Sequence, residues 1–138
     1  MTTFALDTNI ISYILRENAA VVSRVRQTLA AKDRLIIPPL AYYEVRRGLL
    51  SAHTPVQTAA FDKFCQTMPI GKIEHETLEE AARIYASLKK QGRPTGDADI
   101  LIAAFCIVNG HTLVTNNTKH FEGIDALSIV DWSDDDDT

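Results

Sequence analysis

Short apolar runs that stop at polar turns alternate along this chain with longer stretches in which apolar residues recur every three or four positions. Phe4-Ala5-Leu6 is a run of the first kind and ends at Asp7; Ile10, Ile11, Ile14 and Leu15 behind it have helical spacing. The first unit therefore reads strand, polar turn, helix. A second helix follows over 20–31 on Val21, Val22, Val25 and Leu29, and Leu35-Ile36-Ile37 makes the next short strand. Pro38-Pro39 closes that strand and opens a helix over about 39–51, because proline is tolerated in a first turn where its missing N–H has no partner to lose. Residues 55–67 and 76–91 are further helices, the latter with Leu78, Ala81, Ala82, Ile84, Tyr85 and Leu88 on one broad stripe.

Gly92 to Gly96 breaks the pattern. The segment from Asp97 to Val108 is apolar nearly all round, as suits a helix buried in the middle of a domain, and Asn109-Gly110 ends it with glycine at the C-terminal cap. Thr112 to Thr115 and Leu127 to Val130 are the last strands. Strands alternating with helices imply parallel pairing through crossovers, hence an α/β sandwich around a central parallel sheet of four to five strands.

Composition narrows the class. With 138 residues, 46% apolar and 23% charged, the chain is sized for one domain that buries a core without disulfides or a structural metal. The domain is expected over 1–132, followed by an acidic tail over 133–138. Four of the 18 acids are the run Asp134 to Asp137; without them the acids balance the 14 lysines and arginines, so no whole-molecule field attracts a polyanion. Cys65 and Cys106 read as buried free thiols. The N-terminal segment has no basic start and no apolar stretch approaches a membrane span, so a cytoplasmic setting without membrane contact is expected.

Ligands of open α/β sheets bind beyond the carboxyl ends of the strands. Asp7 stands at one such end, Asn116 and Asn117 at another, Asp97 and Asp99 at the start of the buried helix, and Glu44 in the second turn of the helix that leaves the second strand. Carboxylates gathered on one rim repel one another and call for a cation. Hard divalent ions with oxygen ligands answer that need and support phosphodiester hydrolysis. Each residue also has a plainer role: Asp7 and Asp97 as helix caps, Glu44 as an ion-paired surface acid, His120 as a surface or hydrogen-bonded histidine.

Taken in order, Leu6-Asp7-Thr8-Asn9-Ile10, Tyr43-Glu44-Val45, Gly96-Asp97-Ala98-Asp99 with Ile100 to Ala104, and Leu113 to Phe121 resemble the PIN-domain family, and within it the VapC toxins of toxin–antitoxin pairs. The resemblance runs from the first strand to Trp132. It implies an α/β/α fold and a Mg²⁺- or Mn²⁺-dependent endoribonuclease that cuts a structured RNA, tRNA or rRNA, and so stops translation. It makes Asp7 the first metal ligand, Glu44 the second acid, Asp99 the third acid and main metal ligand, and Asp97 an additional acid of the same loop. Asn117 falls where many members carry a fourth Asp, and some carry an acid at the place of His120. With neither acid here, one tightly held metal is implied, a second arriving with the RNA. Thr8, Asn9, Thr115 and Asn116 are expected to orient water and backbone around the site.

Arg46, Arg93 and Lys119 are the cations expected to meet RNA phosphates. The resemblance also implies a homodimer and a VapB-type antitoxin that forms a heterotetramer or larger assembly, places an Arg or Lys in the acidic pocket, and is the only route to operator DNA. Two rival classes are weaker. Another metal-dependent phosphohydrolase is expected to carry a Gly-rich phosphate loop, of which there is none, and a catalytically inactive binding module is expected to have lost acids that this chain keeps.

Overall fold

The computed structural model of the protein describes residues 1–133; the acidic tail, apart from Ser133, lies outside the described residues. Four parallel strands form one sheet in the order β2-β1-β3-β4: β1 Thr3–Leu6, β2 Arg34–Ile36, β3 Thr112–Val114 and β4 Ile129–Val130. Six helices accompany them: α1 Thr8–Leu15, α2 Ala19–Ala30, α3 Pro39–Ala52, α4 Pro55–Thr67, α5 His75–Lys90 and α6 Asp97–Asn109. A single 3₁₀ turn, Thr118–Phe121, follows β3.

Successive side chains of a strand point to opposite faces. Ala5 and Leu6 of β1 are both fully buried, as are Leu113 and Val114 of β3, so the centre of the sheet is covered on both sides. That is the layered α/β/α arrangement expected from the sequence. In register, Phe4 faces Leu35 and Thr112, and Leu6 faces Val114. The carboxyl ends of β1 and β3 therefore stop side by side, with the Asp7 N–H donating to the Val114 carbonyl at 2.9 Å.

α6 is the buried helix of the domain. Ile102 to Cys106 are consecutive and all inaccessible or nearly so, and the helix packs on α5, α3 and β3. Gly110 ends it at φ 69°, a left-handed conformation that glycine adopts without penalty.

Three details depart from the expected pattern. The buried face of α5 follows Thr77, Ala81, Ile84 and Leu88, and Leu78 and Tyr85, one position further round the helix, are each 52% exposed. Ile37 leaves β2 to pair with Ile70: its N–H donates to the Pro69 carbonyl and its carbonyl accepts from the Gly71 N–H at 2.8 Å, adding a short edge to the sheet. Cys106 is buried, whereas Cys65 is only half buried; both are free thiols.

Gly71 lets this edge lie directly on the Phe105 ring, where a Cβ would overlap the aromatic carbons, while Gly48 in α3 has open space around it. In urea unfolding, Gly71→Ala is expected to lose about 1–3 kcal/mol through overpacking. Gly48→Ala should instead gain about 0.5–1 kcal/mol from the lower entropy of its unfolded chain.

Candidate active site

Asp7 is the residue at which β1 ends and α1 begins, and it does two jobs at that junction. As the N-terminal cap of α1 it accepts the Thr8 N–H at 2.8 Å through Oδ1. Its Oδ2 accepts the Thr115 hydroxyl, 108 residues away in sequence, at 2.7 Å. The helix cap and the contact with Thr115 thus meet in one carboxylate. Thr115 is fully buried and its Oγ1 in turn accepts the Asn117 N–H at 3.0 Å, so the turn after β3 is tied to the end of β1.

Thr8 carries the connection outward: its hydroxyl donates to Glu44 Oε1 at 2.6 Å, linking the first turn of α1 to the second turn of α3. Glu44 Oε2 lies 3.6 Å from an Arg47 guanidinium nitrogen. Asp99 sits in the first turn of α6, whose cap is Gly96 without any side-chain capping bond. Asp97 therefore does not cap this helix; it is the exposed first residue, and its side chain makes no hydrogen bond or ion pair with the described residues. Asn9 Nδ2 reaches Asn116 Oδ1 at 3.4 Å, and the Asn116 amide donates to the Tyr13 hydroxyl at 3.0 Å.

His120 is the exposed, hydrogen-bonded histidine that one reading of the sequence expected, and its partner is one of the acids. Its Nδ1 lies 3.1 Å from Asp99 Oδ2, where a protonated Nδ1 donates to the carboxylate. The 3₁₀ turn brings it there, with buried Phe121 anchoring the turn in the core.

Burial is the largest influence on the Asp7 carboxyl and pushes its pKa up; the hydrogen bonds from Thr115 and Thr8 pull it down, and the nearby charges of Asp99 and Glu44 push it up again. Asp7 is thus electrostatically coupled to two other acids, and no positive group among the described residues stands with them as an influence on it. The three acids offer carboxylate oxygens, with the His120 imidazole already turned to Asp99, a donor set that fits a hard divalent cation. Among the described residues no three His, Cys, Asp or Glu side chains are gathered into a ready-made cage. Glu44 is turned to Thr8, and Asp99 to His120. A Mg²⁺-like ion needs no such cage, since one or two carboxylates with water and substrate phosphate suffice.

The acids lie between two open clefts. One, of about 410 Å³, is lined by Thr8, Asn9, Arg16, Glu44 and Leu49 among others; the other, of about 260 Å³, by Arg93, Asp99, Lys119 and His120. Of the expected cations, Lys119 is exposed without an acidic partner among the described residues, and Arg93 pairs with Glu122 at 3.3 Å. Arg46 is engaged elsewhere. It pairs with Asp62 at 2.7 Å and lies over the Phe61 and Tyr42 rings, joining α3 to α4.

A carboxyl whose pKa is raised on folding binds its proton more tightly in the folded chain, so it opposes folding above the raised value and ceases to do so below the ordinary aspartate range. Removing Asp7 altogether would relieve that repulsion but also strip the α1 cap, so the informative variant is Asp7→Asn, whose Oδ1 keeps the cap while its Nδ2 donates to Thr115 Oγ1 in place of accepting from it, a change that does not depend on pH. In metal-free buffer, thermal melts should place Asp7→Asn above the native protein at pH 7, with the gap closing as the pH falls toward about 4. A gap independent of pH would show that the Asp7 charge carries no such strain.

The chain is similar in sequence and in fold to known proteins. The tRNA(fMet)-specific endonuclease VapC of Shigella flexneri is 31% identical over 134 residues, spanning 96% of this chain and 100% of the relative. Ribonuclease VapC1 of Haemophilus influenzae strain R2866 is 28% identical over 131 residues, spanning 94% and 98%. Among solved structures, VapBC-1 from nontypeable Haemophilus influenzae superposes with a TM-score of 0.85 at 26% identity, over 96% of this chain and 100% of that one. VapBC2 from Rickettsia felis, bound to a DNA fragment from its promoter, superposes at 0.88 with 23% identity, over 95% and 99%. The PIN domain model matches residues 4–127, nearly the whole described chain, and the protein belongs to the PIN domain family.

Proposed function

We propose that this chain is the toxin of a VapBC-type pair, an endoribonuclease dependent on Mg²⁺ or Mn²⁺ that cuts a structured RNA, with tRNA the favoured target. The observation that carries the reading is the buried Asp7 carboxylate, held at the end of β1 beside two acids from α3 and α6 and left without a positive partner. Asp7, Asp99 and Glu44 are the residues that would hold the ion, with Asn117 on the rim after β3. Bound there, the ion supplies Lewis-acid polarisation of a phosphodiester and lowers the pKa of the attacking water.

The chain's own groups set the geometry. Thr115 and the Thr8 N–H fix Asp7, the Thr8 hydroxyl holds Oε1 of Glu44, and His120 holds Oδ2 of Asp99, so each acid is oriented by a named donor. Arg93 and Lys119 border the cleft next to Asp99 and place positive charge where an incoming phosphate must pass. A VapB-type antitoxin answers the same electrostatics: an Arg or Lys from its C-terminal segment would meet the acidic rim, and the larger cleft beside Glu44 has room for that segment. Homodimerisation and a heterotetramer or larger assembly with the antitoxin complete the reading, with promoter DNA contacted through the antitoxin.

The test is incubation of antitoxin-free protein with total cellular RNA in Mg²⁺, Mn²⁺ or EDTA, with cut ends mapped. Discrete fragments that need the metal are expected. Because the ion's charge stabilisation is worth several kcal/mol, Asp99→Asn should slow cutting on the order of a thousandfold while the fold persists. Fragments that persist in EDTA, or that Asp99→Asn produces at the native rate, would overturn the reading.

A further inference from the structure

Tyr85 sits on the helix that precedes the acidic loop, in a stripe whose spacing predicts burial, yet half of its surface faces solvent. It lines a separate cleft of about 220 Å³ between the carboxyl end of α5 and the loop from Gly92 to Thr95, together with Leu88, Pro94, Lys89 and Arg93. The walls are set in advance. Gly92 turns the chain at φ 69°, the Arg93 N–H donates to the Leu88 carbonyl at 2.9 Å, and the Gln91 amide donates to the Gly123 carbonyl at 3.2 Å. Gly123 is what lets this loop close down, since a Cβ there would meet the Gln91 and Arg93 side chains.

Arg93, Pro94 and Thr95 also line the cleft that holds Asp99, Lys119 and His120, so one short ridge separates the Tyr85 cleft from the acids. Lys89 and Lys90 occupy the last turn of α5, and neither they nor Lys119 has an acidic partner among the described residues. Unpaired cations thus stand on both sides of a small apolar slot with an aromatic wall. We propose that this slot is a subsite for a single unstacked base of the RNA, stacked on Tyr85, with the adjoining phosphates on Lys89, Arg93 and Lys119. The proposal rests on the ribonuclease reading and extends it from the acids to the strand that leads to them. Proteins that read single-stranded RNA do so by stacking splayed bases on aromatic rings beside cations, which matches this lining. The slot takes one planar ring; it is too small for a helix, and its cations suit a polyanion better than a basic peptide.

Two measurements test it. In the first, AMP, GMP, CMP and UMP are titrated singly into the protein in EDTA and followed by NMR; the Tyr85 ring and the Gly92 and Thr95 amides are expected to shift with at least one of them. In the second, steady-state cleavage of total tRNA in the presence of Mg²⁺ is compared for native protein, Tyr85→Phe and Tyr85→Ala. Loss of one base–aromatic stack should raise the KM of Tyr85→Ala about tenfold. Its kcat should stay within about twofold of native, and Tyr85→Phe should behave as native. A native KM in Tyr85→Ala, or no shift at these positions with any of the four nucleotides, overturns the proposal and leaves the slot to a protein contact. If the native protein cuts no RNA, the ribonuclease reading falls by itself, and the nucleotide titration still decides whether the slot takes a base.

Discussion

A carboxylate buried at the end of the central part of a parallel sheet is the constraint on which the rest of this molecule depends. Asp7 has almost no access to water, so its charge must be met by fixed dipoles, and those dipoles come from two parts of the chain that only the sheet brings together: the first N–H of α1 and the hydroxyl of Thr115 after β3. Because β1 is paired on both sides, with β2 and with β3, Asp7 cannot move without breaking ladder bonds. The geometry of the site is inherited from backbone pairing, which is the most rigid element the chain has.

From that fixed point the site spreads in two unequal directions. Toward α3 the path is a chain of polar contacts, Asp7 to Thr8 to Glu44 to Arg47, so the second acid already has partners. Toward α6 the path is packing: five consecutive buried residues hold the helix, and its first turn presents Asp99 to His120. The acids so arranged do not form a closed cage. An ion of the Mg²⁺ kind does not ask for one, since it keeps several waters and takes one or two carboxylates with substrate phosphate.

The fold was largely legible because its elements obey their periods. Parallel strands buried on both faces appear as short unbroken apolar runs, and α6 appears as an apolar stretch too long and too uniform for a surface helix. Asp7, Asp97 and Asp99 were legible for a different reason, since each falls at or next to an element boundary where a charged residue is conspicuous; Glu44 lies inside α3 and stood out only in combination with them. What escaped was whatever depends on a helix's rotation or on a turn's shape. Leu78 and Tyr85 share the apolar character of the α5 stripe, but the buried face runs through Thr77, Ala81, Ile84 and Leu88, and a rotation of one residue, about 100° in an α-helix, turns an apparent core side chain toward solvent. That His120 bonds Asp99 in particular escaped because a 3₁₀ turn of four residues has no periodic signature. Arg46 looked like a free cation beside Glu44, but its Asp62 partner belongs to the next helix, a contact set by how α3 and α4 pack.

By itself, then, the sequence determined the order of strands and helices, the parallel class of the sheet and the carboxylates offered at its carboxyl edge, all of which follow from local periodicity and from charges placed where elements end. Only the tertiary structure decided which of those charges meet, that Asp7 rests on Thr115, that Asp99 faces His120 while Asp97 stays in solvent, and that Tyr85 opens onto a slot beside them. The physical reason is that contacts across a hundred residues are set by strand register and helix packing angle, and neither is encoded in any one stretch of chain.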